Sequence, residues 1–270
     1  MDHSRRTVPA QLMFALTMMA LGILGFIYGD VALVWQHIPI EHLPWQRGIA
    51  YGFATIELVT GIGLLSPRTA RLSSRVLFAF LLLWVALLKL PAVLLLPQLE
   101  FNWLGLGEIM VIFTGAWMVL ASTRRNTTHS GFLASARGVR LAHVLFALSL
   151  PMIGLSHFFY SEQTLALVPA WLPFRLGWAY LTGAASVLAC LGVLFAIYPR
   201  LAATLEAGML GIITLLVWVP AVVTAPTDRT AWTALVISTA IACGAWLVAD
   251  SYRHLPWRAI GSYPTTVPAR

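Results

Sequence analysis

The sequence predicts an all-α polytopic membrane protein, with eight transmembrane helices arranged as two tandem, parallel four-helix repeats. Three observations carry this expectation. Charged residues are too few to coat a water-facing surface. The apolar residues gather into eight runs of spanning length. The last four runs repeat the first four at a constant offset.

Of the 270 residues, 59% are hydrophobic and 10% charged, whereas a soluble domain carries roughly 25% charged residues. A lipid-facing surface needs none. The formal net charge is +7, and 16 of the 17 basic residues are Arg. They lie between the apolar runs and not in one patch, which points to membrane topology and away from nucleic acid. Cys190 and Cys243 each sit inside an apolar run, with no Cys-x-x-Cys spacing. They read as small packing residues and not as a redox pair.

The runs cover about 9–29, 48–65, 76–96, 103–121, 139–160, 176–197, 203–223 and 231–250, each near the roughly 20 residues needed to cross hydrocarbon. Ser4-Arg5-Arg6-Thr7 before the first run is similar to a twin-arginine signal. No small-x-small cleavage site follows, so the run reads as a retained first helix. Ser66-Pro67-Arg68 closes the second run and Tyr198-Pro199-Arg200 the sixth; the hydrophilic stretch 122–131 divides the halves. With the N-terminus inside, 13 Arg fall in inner segments and 3 (Arg47, Arg175 and Arg229) in outer loops. The positive-inside rule then places both termini in the cytoplasm, with the chain integral to the plasma (inner) membrane.

At an offset of 129, Pro91-Ala92-Val93 matches Pro220-Ala221-Val222, and Gly115-Ala116-Trp117 matches Gly244-Ala245-Trp246. Tyr51, Gly63 and Trp103 match Tyr180, Gly192 and Trp232. Identical tripeptides at one offset indicate duplication, and units with an even number of helices insert in the same orientation. The expected organisation is a first unit over residues 1–125, a cytoplasmic linker over 126–138, and a second unit with a C-terminal tail over 139–270. The outer segments 34–39 and 167–173 are apolar, Trp-bearing and Pro-broken, which suits interfacial anchors or a cap over an outward-opening cavity. Gly48-x-x-x-Gly52 permits close helix approach and hence a homodimer.

Intramembrane charges are costly and are therefore functional candidates. Glu57, Lys89 and Glu108 lie within runs of the first half, each in the outer half of the bilayer by helical rise. The positions 129 later hold Ser186, Trp218 and Ile237. The first half thus reads as the working unit, with Tyr51 and Trp103 completing the ligand-binding candidates. One reading is a polar pocket, in which an ammonium between two carboxylates serves a quinone headgroup, a proton or a small anion. The other is a buried ion pair that fixes helix packing. Asp30 and Arg47 flank the first outer loop, as a salt bridge or as a charged entrance, and His157 is a third candidate at the pocket mouth. Glu206, near the start of the seventh run, is expected to meet interface water or Arg200.

His143 and His157 share one helix face, about 21 Å apart by rise. Haem would need axial partners on another helix, and no second His pair lies in the runs. No zinc spacing, phosphate-binding glycine loop or nucleophile triad is present, so no metal site is expected.

The stretches Gly154-Leu155-Ser156-His157-Phe158-Phe159, Val168-Pro169-Ala170-Trp171-Leu172-Pro173 and Trp178-Ala179-Tyr180-Leu181-Thr182-Gly183 resemble the DoxX family of four-helix membrane proteins. So does the run 54–65 with the Pro67-Arg68 that follows it. The resemblance covers roughly residues 10–120 and 140–250. It implies the company of quinone and of a redox partner protein, as in thiosulfate:quinone oxidoreductase and other membrane-bound oxidoreductase complexes. The chain departs from that family in being a double unit, and in placing Ser186 where the first half has Glu57. The expected function is an integral membrane subunit of a redox system, binding quinone or a small substrate in an outward-half polar pocket of the first repeat. A small-solute or proton-coupled transporter and a non-catalytic assembly scaffold are the competing classes.

Overall fold

The computed structural model describes residues 9–30, 45–123, 131–264 and 267. The basic N-terminal stretch, the outer segment 34–39, and His3, His37, His42 and His129 lie outside them. Among the described residues the regular structure is helical, apart from one isolated bridge between Ile197 and Ile260.

The helices are α1 (Pro9–Tyr28), α2 (Gln46–Leu64), α3 (Ala70–Trp84), α4 (Leu90–Leu95), α5 (Glu100–Thr123), α6 (Ala136–Phe159), α7 (Ser161–Leu167), α8 (Arg175–Leu194), α9 (Pro199–Ile213), α10 (Val219–Thr224) and α11 (Arg229–Ser251). A π-helical turn, Val85–Lys89, joins α3 to α4, and another, Thr214–Trp218, joins α9 to α10. Proline accounts for both. Pro91 and Pro220 offer no N–H to the carbonyl four residues back, and their rings crowd it. A widened turn just upstream relieves that conflict without ending the helix.

Among the described residues, seven helices are long and apolar enough to cross a membrane: α1, the α3–α4 unit, α5, α6, α8, the α9–α10 unit and α11. The chain is a polytopic helical protein of membrane type. The remaining long helix, α2, has 19 residues, but it opens with Gln46-Arg47 and carries Glu57, which depress its mean hydropathy. The short α7 falls in a segment expected to be outer loop. Arg175 folds back over its end, donating from Nε to the Val168 carbonyl at 2.9 Å and from Nη2 to the Leu165 carbonyl at 2.6 Å. The guanidinium thus adds to the weak bond that the Leu165 carbonyl accepts from Val168 N–H at 3.3 Å, at the end of α7.

The long helices form a closed ring in the order α1, α2, α3, α5, α6, α8, α9, α11, with α11 returning to α1. Inside the ring α5 and α11 pack on each other. Lipid gives little hydrophobic drive for helix association, so the contacts rest on small residues that let backbones meet. A Cβ on Gly115 would come within 2.6 Å of Gly244 Cα, at the α5–α11 crossing. A Cβ on Gly25 would lie 2.8 Å from Ala54 Cβ between α1 and α2, and one on Gly154 would lie 2.6 Å from the Gly183 carbonyl between α6 and α8.

Local details recur 129 residues apart. The bounds of α3, its π turn and α4 coincide at that offset with those of α9, its π turn and α10. Trp103 Nε1 donates to the Pro97 carbonyl at 2.9 Å, and Trp232 Nε1 to the Pro226 carbonyl at 2.8 Å. The pairs Gly25–Ala54 and Gly154–Gly183 are related in the same way.

Beyond α11 the tail returns to the α8–α9 connection. Tyr198 N–H donates to the Ala259 carbonyl at 2.9 Å and Gly261 N–H to the Ala196 carbonyl at 3.0 Å. Ala196 and Tyr198 sit at φ of 53° and 52°, a left-handed backbone that side chains rarely adopt. Arg200 locks the strap by donating to the Leu255 carbonyl at 2.9 Å and covering the Trp257 ring at 3.9 Å.

Candidate functional site

A cavity of about 1610 Å³ opens among the helices of the second half, lined from α6, α8, α9, the second π turn and α11, with α5 closing one side. Its rim includes Leu188, Leu205 and Ile212, which are 67%, 63% and 57% exposed. The cavity therefore opens sideways, between α8 and α9, toward the outside of the helix ring.

Side-chain volume explains its position. In the first half, Phe53 of α2 meets Phe80 and Trp84 of α3 at ring separations of 5.3 and 4.9 Å, and these two rings lie 5.5 Å apart. The residues 129 positions later are Thr182, Met209 and Ile213, and all three line the cavity. Three rings fill the α2–α3 side of the first half. Their smaller counterparts leave the α8–α9 side open.

Two polar pairs stand at the inner wall. His157 Nδ1 lies 2.8 Å from Thr182 Oγ1 and 3.1 Å from the Ala179 carbonyl. A carbonyl partner requires the proton on Nδ1, which leaves Nε2 as the acceptor of a neutral ring. Ser186 Oγ donates to Glu206 Oε1 at 2.9 Å. Glu206 is 2% exposed, and its Oε2 has no hydrogen-bond partner among the described residues. Buried polar atoms in native proteins almost always have a partner, so this oxygen marks a place where a ligand or water belongs. Thr182 and Ser186, the partners of the imidazole and of the carboxyl, are one turn apart on α8, about 6 Å of helical rise. Both His157 and Glu206 line the cavity.

The expected site residues are distributed as follows. Glu108 and His157 line the cavity. Lys89, buried at the end of its π turn, is in electrostatic contact with Glu108, which also faces Glu100. Glu57 is buried on α2, while Tyr51 stacks on Phe26 at 5.8 Å between α1 and α2. The Trp103 indole N–H closes the turn at Pro97. Asp30 forms its salt bridge with Arg229 at the start of α11, at 2.6 Å, whereas Arg47 is exposed at the start of α2. Lys89 and Glu108 are thus brought together, and Glu108 shares a cavity with His157. That cavity lies among helices of the second half, and its lining does not include Glu57, Lys89, Tyr51 or Trp103.

Glu206 needs a correction. It meets Ser186, while Arg200 is engaged by Leu255 and Trp257. The second half therefore has a buried carboxyl of its own. It stands on α9, at the position that corresponds to Leu77, and it faces the serine that corresponds to Glu57. An apolar run containing one acid and a facing serine at mid-helix could have flagged the pair. His143 is fully buried elsewhere, with Nε2 2.7 Å from Ser251 Oγ and its ring 4.4 Å from that of Tyr252. Among the described residues no group of three or more His, Cys, Asp or Glu could hold a metal ion.

Fold and site define a polytopic helical membrane protein with a lateral, mostly apolar cavity and a small polar floor. Residues 146–255 match a family described as a domain of unknown function, DUF8561. The match runs from within α6 to just past α11, and so takes in most of the cavity wall. No curated protein and no solved structure matches the chain.

Proposed function

We propose that the chain is an integral subunit of a membrane redox system that binds a quinone, tail in the lateral cavity and headgroup against His157 and Glu206. The observation that carries this reading is the pairing of an apolar, sideways-open cavity with the unpartnered Oε2 of Glu206 beside the imidazole of His157. An apolar pocket with a few convergent polar groups is the usual form of a small-molecule site. The opening toward lipid suits a ligand that partitions into the bilayer. Once protonated, His157 Nε2 and Glu206 Oε2 can donate to the two oxygens of a quinone ring and supply the two protons that its reduction to quinol consumes. Electrons would come from a partner protein, in keeping with the DoxX resemblance.

In this proposal α2 is an eighth span, and the chain consists of two parallel four-helix units with both termini in the cytoplasm of the plasma membrane. The helix bounds recurring at 129, the equivalent glycine contacts and the 13-to-3 division of Arg support it. Reporter fusions after residues 125 and 270 should both report a cytoplasmic location.

Titration of the purified protein with a short-chain ubiquinone, followed by tryptophan fluorescence, tests the binding. Saturable quenching is expected, with affinity about tenfold weaker for Glu206→Leu and for His157→Phe, the loss of one hydrogen bond to a charged or buried partner. Absence of saturable binding to the wild-type chain would overturn the reading.

A further inference from the structure

We infer that a second cavity, of about 420 Å³ between α9 and α11, is a binding site for one anionic phospholipid of the leaflet beside the C-terminal strap. Its two ends differ in chemistry. At one end stand Arg200, in the first turn of α9, and Arg253, just past α11, with Asp250 and Trp257 beside them. Deeper in, the wall is made by Gly208 and Gly211, and a Cβ added to either would meet nothing within 4 Å. Those glycines face a channel and not a neighbouring helix.

Charge selects the headgroup. Arg200 commits one N–H to the Leu255 carbonyl and stacks on Trp257, which fixes its guanidinium at the mouth. Arg253 is held by two long contacts, its Nη1 3.5 Å from Asp250 Oδ2 and its Nε 3.4 Å from His254 Nε2. Each guanidinium has five N–H donors in a planar fork, so the pair keeps ample capacity for a phosphodiester. Two cations against the one Asp250 carboxylate leave the mouth net positive, and Trp257 is suited to the headgroup level. Length selects the rest of the molecule. From Arg200 to Gly208 and Gly211 is about 12–16 Å along α9, a depth that an acyl chain fills and a free phosphate does not. The site shares Thr204 and Gly208 with the wall of the proposed quinone cavity, but nothing in it depends on quinone binding.

Native mass spectrometry of the intact protein, released from detergent with phosphatidylglycerol and with phosphatidylethanolamine, tests this. One phosphatidylglycerol should be retained in preference to phosphatidylethanolamine. An arginine near the surface is worth about 1 kcal/mol toward an anionic lipid, or about fivefold. Arg253→Gln should therefore cut retention about fivefold, without touching the contacts that hold the strap. Gly211→Leu, which fills the channel and leaves both arginines in place, should abolish it. Equal retention of the two lipids, or full retention by Gly211→Leu, would overturn the inference. So would a dimer that disappears with Gly211→Leu while lipid retention stays unchanged, because the groove would then belong to a second copy.

Discussion

Ser186 donates a hydrogen bond to Glu206 across α8 and α9, and 129 residues earlier the two corresponding positions hold Glu57 and Leu77. Each half therefore buries one carboxyl at the same helix pair, on opposite sides of the contact. Glu57 and Glu206 are 6% and 2% exposed. A lone acid at such a place is costly unless it is paired or put to use. The serine supplies a partner for one oxygen of Glu206 and leaves the other without one among the described residues, at the wall of the lateral cavity.

That pairing fixes the outcome of mutating it. Ser186→Ala removes the donor but keeps the buried carboxyl, and should destabilise the protein by about 1–3 kcal/mol. Adding Glu206→Leu removes the acceptor too and should recover most of that loss, since deleting both partners can be nearly neutral. Thermal unfolding of the two variants in detergent decides the matter. A stable Ser186→Ala would mean that another group or water already serves Oε1.

The aromatic positions offer a reciprocal experiment. Thr182→Phe places in the second half the ring that Phe53 supplies in the first. It should abolish ubiquinone quenching by filling the cavity, with unfolding temperature held or raised. Phe53→Thr should do the opposite in the first half. It opens space against Phe80 and Trp84 and, because Phe53 is half-buried, costs about 1–3 kcal/mol, less than a change deep in a core. If Thr182→Phe binds quinone as before, the ligand does not enter between α8 and α9.

The contrast between the halves also shows what a sequence yields to physical reasoning. Seven of the spans are legible because each must cover the hydrocarbon with apolar residues, and Pro91 and Pro220 mark at one offset the two places where a π turn precedes the ring. The pocket is not, since its location depends on which side chains meet across two helices. Phe53, Phe80 and Trp84 look like ordinary apolar letters until α2 and α3 are brought together. Counting charges favoured the first half because Glu206 stands on a different helix from Glu57. Comparison position by position finds Ser186 and passes over the acid that faces it.

At the opposite edge of the molecule, the Asp30–Arg229 bridge joins the end of α1 to the start of α11, with side chains 27% and 33% exposed. Solvent screens such a pair, so Asp30→Asn should cost no more than about 1 kcal/mol, and less at high salt. Exchanging the charges, Asp30→Arg with Arg229→Asp, should restore most of the loss. A penalty that is large and insensitive to salt would show that the α1–α11 contact depends on this bridge.

The α5–α11 crossing is where packing should be least forgiving. Gly115 and Gly244 are 129 residues apart in the chain and adjacent in space. A Cβ on Gly115 would meet Gly244 Cα at 2.6 Å, and one on Gly244 would meet the Val111 carbonyl at 2.7 Å. Neither neighbour is a flexible side chain, so the helices must separate. Gly115→Ala and Gly244→Ala should each destabilise by about 1–3 kcal/mol, the cost of overpacking a close contact. Gly211→Ala, with nothing within 4 Å of its Cβ, should be neutral or slightly stabilising, as expected for glycine in a helix. The double variant should lose less than the sum of the two single losses. Once the first methyl has pushed α5 from α11, the second occupies space already opened, and residues in contact are the ones that fail additivity. Strict additivity in thermal unfolding would mean that the two glycines do not share one contact.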